Sequence, residues 1–185
     1  MQQKLVAIVI GGTGMLEGVC HWLVNEGYEV LVIHRDLAKF KTMQLRSTNP
    51  EQLHSISVDY HEDEQLQSKV RAALQPYGSS PDLIVSWIHN SAPKALPIIL
   101  QEVQSLEKPW KLIHVQSSSS FFVKENTTVP ATCEYRRVYL GFVMEEHGSR
   151  WLTHEEIANG VIKVIKRDLK ETVIGTLKPW SKRPR

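Results

Sequence analysis

Short aliphatic runs alternate along this chain with longer segments whose apolar residues recur every three to four positions. Leu5 to Ile10 is unbroken aliphatic, the mark of a strand buried on both faces. It stops at Gly11-Gly12-Thr13-Gly14. Met15, Leu16, Val19, Trp22, Leu23 and Val24 then outline a helix that ends at Gly27. Val30 to Ile33 predicts a second buried strand, and Asp36 can cap a helix carrying Leu37, Phe40, Met43 and Leu45 up to Asn49-Pro50. His54 to Val58 is shorter and more polar, as an outer strand should be. Glu62 to Glu64 open a helix through Leu66, Val70, Ala73 and Leu74, where negative charge complements the helix dipole. A turn at Gly78 to Pro81 leads to a fourth strand, Asp82 to Ile88, a helix from about Lys94 to Leu106, and a fifth strand, Leu112 to Val115.

Beyond Ser117 the alternation lapses. Ser117 to Glu134 reads as a long polar loop and Arg137 to Met144 as a strand. Thr153-His154-Glu155-Glu156 is a capping box before a helix with Ile157, Val161, Ile162, Val164 and Ile165, and Thr172 to Leu177 is a last short strand. Strands and helices in this order build a parallel sheet wrapped on both sides. The expected class is α/β: a doubly wound parallel sheet (Rossmann fold) of about six strands, order 3-2-1-4-5-6, with helices on both faces. Residues 1–177 are expected to form this domain. Residues 178–185 form a basic tail with Lys178, Lys182, Arg183 and Arg185, read as a solvated terminus ahead of a contact for an acidic partner.

Composition narrows the function classes. At 185 residues the chain can bury one sizeable core but not two. A net charge of +2 supplies no basic cluster of the kind nucleic acid requires. Cys20 and Cys133 show neither a zinc spacing nor a disulfide framework, which suits a reducing compartment. No apolar stretch reaches membrane length and no signal peptide is evident, so a soluble cytoplasmic protein without a membrane partner is expected. The eight histidines show no close ligand spacing, so no metal is expected. No Gly-x-Ser-x-Gly elbow is present, so a hydrolase is not expected either.

The glycine turn carries the positive signal. A strand, a glycine turn, a helix and a second strand, in that order, are what a dinucleotide needs. The glycines let the backbone approach the pyrophosphate, whose charge then meets free N–H groups and the helix dipole. Gly11, Gly12, Thr13, Gly14, Met15 and Leu16 occupy that turn, with Thr13 able to add a hydroxyl. At the end of the second strand an acid would bind the ribose hydroxyl of NAD, and a cation would accept the extra phosphate of NADP. His34-Arg35 stands there, about twenty residues past Gly14, with Lys39 one helical turn on. This favours NADP and leaves NAD open, since Asp36 takes the acid's role if the strand runs one residue longer.

In these residues the chain resembles the short-chain dehydrogenases/reductases, in a divergent, atypical form. Val9 to Leu16 resembles that family's glycine-rich turn, and Val32-Ile33-His34-Arg35 its NADP-type second strand. Ser57-Val58-Asp59-Tyr60 resembles the segment where an Asp contacts adenine. Ile88-His89-Asn90-Ser91-Ala92 resembles the segment beside the cofactor ribose, and Ile113 to Ser118 the fifth strand, whose terminal serine helps to bind the reacting carbonyl. The likeness spans about residues 4–120 as modest motifs in the right order. It implies the fold above, a nicotinamide cofactor and hydride chemistry. Two departures stand against it. Glu17 replaces the third glycine, with Gly18 one place later, so helix packing there should differ. The Tyr-x-x-x-Lys pair is absent: Tyr135 is followed four residues on by Tyr139, within a segment that reads as a strand. The chain is also shorter than a typical member, and the shortage falls in that catalytic region.

The expected site therefore has the pyrophosphate over Gly11 to Leu16, the adenosine phosphate near His34 and Arg35, and adenine near Asp59 and Tyr60. The nicotinamide side should lie near His89, Asn90, Ser91, Ala92 and Ser117. Ser118 and Tyr135 are the catalytic candidates, each weighed against a plain polar loop and a core-packing aromatic. The expectation is an NAD(P)(H)-dependent oxidoreductase with non-standard catalytic residues acting on an unidentified small molecule. The alternative is a non-catalytic NADP(H)-binding sensor or scaffold. A nucleotide-sugar enzyme on the same fold is a more distant reading, and a homo-oligomer is left open.

Overall fold

The computed structural model describes residues 4–103, 108–124 and 126–185. Its elements are β1 (Leu5–Ile10), α1 (Glu17–Asn25), β2 (Tyr28–His34), α2 (Leu37–Leu45), β3 (Leu53–Ser57), α3 (Asp63–Leu74), β4 (Leu83–Trp87) and α4 (Ala95–Gln101). They continue with β5 (Trp110–Ser117), the single turn α5 (Ser120–Val123), β6 (Cys133–Leu140), β7 (Phe142–Glu145), β8 (Gly148–Trp151), α6 (His154–Arg167) and β9 (Glu171–Ile174).

The main sheet is parallel throughout, in the order β3-β2-β1-β4-β5-β6-β9, with β7 and β8 forming a separate antiparallel hairpin. The sheet thus has seven strands where about six were expected, and the expected order continues by one. Alternate strand residues feed two cores. Val9, Val32, Val85 and Val115 meet Leu16, Val19 and Leu23 of the first turn and α1, Phe40 and Met43 of α2, and Ile157, Val161 and Val164 of α6. Ile8, Ile10, Ile33 and Leu112 meet Leu66, Val70 and Leu74 of α3 and Ala95, Leu96 and Ile99 of α4 on the other face. Both faces being covered explains why the inner strands read as unbroken aliphatic runs.

Several boundaries differ from the sequence reading. The third strand is Leu53–Ser57 and the last is Glu171–Ile174, each shifted towards the N-terminus. The fourth helix ends at Gln101, and its expected end at Leu106 lies outside the described residues. Ser117 to Glu134 is not one loop: Ser117 closes β5, α5 interrupts the segment, and Cys133-Glu134 already belong to β6. Arg137 to Met144 is two strands, because the chain leaves the sheet at Gly141. There Phe142 and Thr176 exchange backbone hydrogen bonds of 2.9 and 2.8 Å, turning the chain out into the β7–β8 hairpin.

The capping box of α6 is as read: the Glu156 amide donates to Thr153 Oγ1 at 3.1 Å, and the Thr153 amide donates to Glu156 at 2.8 Å. At its other end Asp168, in the left-handed conformation, accepts from Arg136 at 3.0 and 3.1 Å and from Lys111 at 2.9 Å. These cations hold the Asp168 carboxyl down at about 2, below its ordinary 3.8. A carboxylate depressed on folding stabilises the fold above its unfolded pKa and loses that contribution as pH falls through the folded value. Thermal stability should therefore decline between about pH 4 and pH 2, and Asp168→Asn should reduce that decline in a melting series. Among the described residues no helix is long and apolar enough to cross a membrane.

Candidate functional site

The strand order reverses its winding between β1 and β4, and such sheets bind ligands in the crevice outside the carboxyl ends of those strands. The glycine turn lies there. Gly11 has φ +87°, a conformation that favours glycine, and a side chain at that position would start 3.3 Å from Trp87 Cβ and Cδ1. Gly12 is packed deeper: a Cβ there would lie 2.8 Å from Cys20 Sγ and 2.9 Å from Val32 Cγ1. Gly14 is different, since a Cβ would meet only the Gly11 carbonyl, at 3.8 Å. Within the turn the amides of Gly14 and Leu16 donate to the Gly11 carbonyl, and that of Glu17 to the Gly14 carbonyl. Among the described residues the amides of Gly12, Thr13 and Met15 enter no backbone bond of this kind. Three donors thus stand at the start of α1.

Glu17, in place of a third glycine, turns its carboxylate to Arg46 at 2.7 Å and His21 at 3.2 Å. The roles of that glycine are divided between neighbours. Gly12 allows the approach to β2, and Gly18 allows α6 to cross α1, since a Cβ on Gly18 would lie 2.9 Å from Ala158 Cβ.

At the end of β2, Arg35 is exposed and Asp36 is the N-cap of α2, its carboxylate accepting the Lys39 amide at 3.0 Å. The strand ends at His34, so Arg35 is the first residue beyond it and Asp36 is engaged as the cap of α2. His34 does not join it. Its ring is buried, stacked on Phe40 at 4.8 Å and bonded through Nε2 to Ser55 Oγ at 2.7 Å. Burial lowers its pKa, so it is a neutral core residue and only its backbone borders the site.

The loops after β3 and β4 meet across the carboxyl edge. Arg35 lies 3.9 Å from Asp59. Asp59 accepts from the His61 amide at 3.0 Å and from His61 Nδ1 at 2.7 Å. His61 Nε2 is 2.9 Å from Ser91 Oγ, and Ser91 Oγ is 2.9 Å from His89 Nδ1. Hydrogen bonds from His61 hold the Asp59 carboxyl below its usual range. Tyr60, His61, Asp63, Ser91, Pro93 and Lys94 border a cleft of about 220 Å³ behind this line. Asn90 is exposed and Ala92 is buried beneath the loop. The sequence reading found Asp59, Tyr60, His89 and Ser91 but missed His61, which joins the two loops, and Trp87, which packs on the glycine turn. No linear motif announces either.

At the far end, Ser117 Oγ bonds Ser119 Oγ at 2.9 Å and Ser120 Oγ at 3.2 Å, and Ser118 is buried. Tyr135 is not near them. It pairs in register with Leu112, whereas Ser117 pairs with Leu140. Five residues of strand, about 16 Å at a rise of 3.3 Å each, separate the two levels. Tyr135 Oη instead bonds His114 Nδ1 at 2.8 Å and Thr127 Oγ1 at 3.2 Å. Burial drives the His114 pKa down to about 4, so its imidazole is neutral in this part-buried hydrogen bond. Tyr135, a catalytic candidate from the sequence, is thus a half-buried aromatic packed against the core and set away from the serines at the carboxyl edge.

No protein-family model matches the sequence, and no curated protein matches it. Solved structures do. An alcohol dehydrogenase from the archaeon Thermococcus sibiricus, complexed with 5-hydroxy-NADP, superimposes with a TM-score of 0.69 at 14% identity, over 98% of this chain and 99% of that one. A 3-ketoacyl-(acyl-carrier-protein) reductase from Brucella melitensis, complexed with NADH, gives 0.65 at 12% identity, over 94% and 97%. An actinorhodin polyketide ketoreductase variant with NADPH gives 0.70 at 13% identity, over 96% and 98%. The fold is that of the short-chain dehydrogenases/reductases.

Within that fold the departure from the family pattern has a structural form. In this short-chain dehydrogenase/reductase fold β5 and β6 are joined through residues 118–132, and among the described residues of that segment the one helix is the single turn α5. Among the described residues there, no helix is long enough to hold a tyrosine and a lysine one turn apart. Phe121 of α5 instead lies edge-on to the buried Tyr139 at 5.2 Å. The tail folds against the same region: Trp180 meets Phe122 at 4.9 Å, and the Ser149 hydroxyl donates to the Lys182 carbonyl.

Proposed function

We propose that this chain binds a nicotinamide dinucleotide, NADP(H) ahead of NAD(H), and acts as an oxidoreductase whose acceptor needs no proton from a tyrosine. The observation that carries the reading is the set of Gly12, Thr13 and Met15 amides left without turn bonds at the N-terminal end of α1, in the crevice between β1 and β4. Those donors suit a pyrophosphate, and the helix dipole adds to them. Gly11 and Gly14 keep the approach free of side chains, and Thr13, between them, is half-buried. Arg35 would take the adenosine phosphate, and the Asp59–Tyr60 segment and the His89–Ala92 loop would border adenine and ribose. Bound there, the cofactor supplies a hydride; the protein's part is to hold its ends and shape the acceptor's approach. Ser117 and Ser118 sit at the carboxyl end of β5, where hydroxyls can orient an acceptor oxygen. Flavins and quinones, which accept hydride without a strongly acidic partner, are the acceptor class that fits.

A second reading, a dinucleotide sensor without turnover, is favoured by the reduction of α5 to one turn. NADPH oxidation measured against flavins, quinones and simple carbonyls separates the two. Turnover with flavins or quinones supports the oxidoreductase, and saturable binding with no turnover on any acceptor supports the sensor. Cofactor choice has its own test. Arg35→Ala should weaken NADPH about tenfold, roughly 1.4 kcal/mol, because one charge-assisted contact is lost. The same variant should leave NADH binding nearly unchanged. Equal effects on both nucleotides would remove Arg35 from the phosphate site.

A further inference from the structure

The line of contacts across the carboxyl edge contains, in residues that the dinucleotide reading sets beside adenine and ribose, an arrangement that offers a second chemistry when no nucleotide is bound. Asp59, His61 and Ser91 are joined as carboxylate, imidazole and hydroxyl, with 2.7 Å at one link and 2.9 Å at the other. The donors can be assigned from the partners. An ionised Asp59 can only accept, so His61 carries its proton on Nδ1 and presents the Nε2 lone pair to the Ser91 hydroxyl. The Ser91 amide donates to His89 Nδ1 at 3.2 Å, so His89 Nδ1 also acts as an acceptor and carries no proton. Ser91 Oγ has one proton and so donates to one imidazole at a time; donation to His61 Nε2 makes His61 the acceptor of that proton. Its loop is exposed, and the cleft of about 220 Å³ opens beside it, bordered by Tyr60, Pro93 and Lys94.

We propose that Ser91 is the nucleophile of an acyl-transfer site, with His61 as its base and Asp59 as the residue that positions His61, acting on esters of small acyl groups. Nucleophile, base and orienting acid are recognised by their geometry and roles, and the three residues meet both requirements. In the first step Ser91 Oγ bonds to the ester carbonyl carbon while its proton passes to His61 Nε2. The carbon–oxygen bond to the alcohol then breaks, and the alcohol leaves with the proton from His61. Water, giving its proton to His61, attacks the acyl-Ser91; the carboxylic acid leaves and the serine hydroxyl is restored. Asn90 supplies the adjacent donor for the oxyanion, since its backbone amide enters no other backbone bond among the described residues. The size of the cleft limits the acyl group to a short one.

The test uses the full chain without any nucleotide, so it does not depend on the dinucleotide reading. The wild type should hydrolyse p-nitrophenyl acetate and be labelled by a fluorophosphonate, with the adduct located on Ser91 by peptide mass spectrometry. Ser91→Ala should lose the label and about 100-fold or more of the hydrolysis, as expected for removal of a nucleophile. Asp59→Asn should lower kcat with KM and melting temperature unchanged, which distinguishes positioning of His61 from a structural role. Hydrolysis by Ser91→Ala at the wild-type rate, or a label on any other residue, would overturn the proposal. Surface histidines alone would produce the first of these results.

Discussion

Replacing Gly141 by alanine should cost about 3 kcal/mol or more of stability, the largest loss expected from adding one methyl group anywhere in this sheet. A Cβ at Gly141 would overlap the Thr176 carbonyl oxygen and lie 2.8 Å from its carbon and 3.0 Å from the Ile174 carbonyl oxygen. All three are backbone atoms, so no side chain can rotate away. The Gly141 amide also donates to Ile174 at 2.9 Å, which fixes β9 against the end of β6. Relief would require β9 to move, and with it the Phe142–Thr176 bridge that directs the chain into the β7–β8 hairpin. Urea unfolding would read the loss as a lower midpoint with an unchanged slope. A variant as stable as the wild type would show that β9 is not seated as described.

Gly14→Asp addresses the site and not the fold. A Cβ there meets only the Gly11 carbonyl at 3.8 Å, and the glycine has no positive φ to defend, so the melting temperature should change little. The carboxylate, however, enters the turn that offers the Gly12, Thr13 and Met15 amides. It would compete for those donors and oppose the pyrophosphate charge, and together these should weaken NADPH by about 100-fold or more. Binding that survives unchanged in a folded variant would place the nucleotide elsewhere.

The inner half of the fold was legible because burial on both faces leaves an unmistakable pattern. β1, β2 and β4 are aliphatic runs since each lies between two helical layers. The capping box before α6 and the Asp36 cap of α2 were legible for a related reason: their hydrogen bonds are local, so the residues that make them are adjacent in sequence. Beyond Ser117 the determinants are tertiary. Gly141 ends a strand because of Thr176, thirty-five residues away, and nothing in the local alternation of Arg137 to Met144 announces it. The glycine turn was legible through its context, but the division of the third glycine's role between Gly12 and Gly18 depends on Val32 and Ala158.

The same distinction governs the site. That β2 ends at His34, with Arg35 exposed just beyond it, was legible because the apolar run itself stops there. Tyr135 was misplaced because its position depends on register: pairing with Leu112 sets it far below the carboxyl edge, beside His114. His61 and Ser91 are thirty residues apart and become neighbours only when the loops after β3 and β4 close on one another. The hydrolase class was set aside for want of a linear elbow motif, yet a serine, a histidine and an aspartate need share no motif to share a site.

Titration of the wild-type protein with NADPH, followed by quenching of tryptophan emission, tests the dinucleotide site most directly, because Trp87 packs on the glycine turn itself. Saturable quenching at micromolar nucleotide is the predicted result. Absence of saturation for both NADPH and NADH up to millimolar concentration would contradict it.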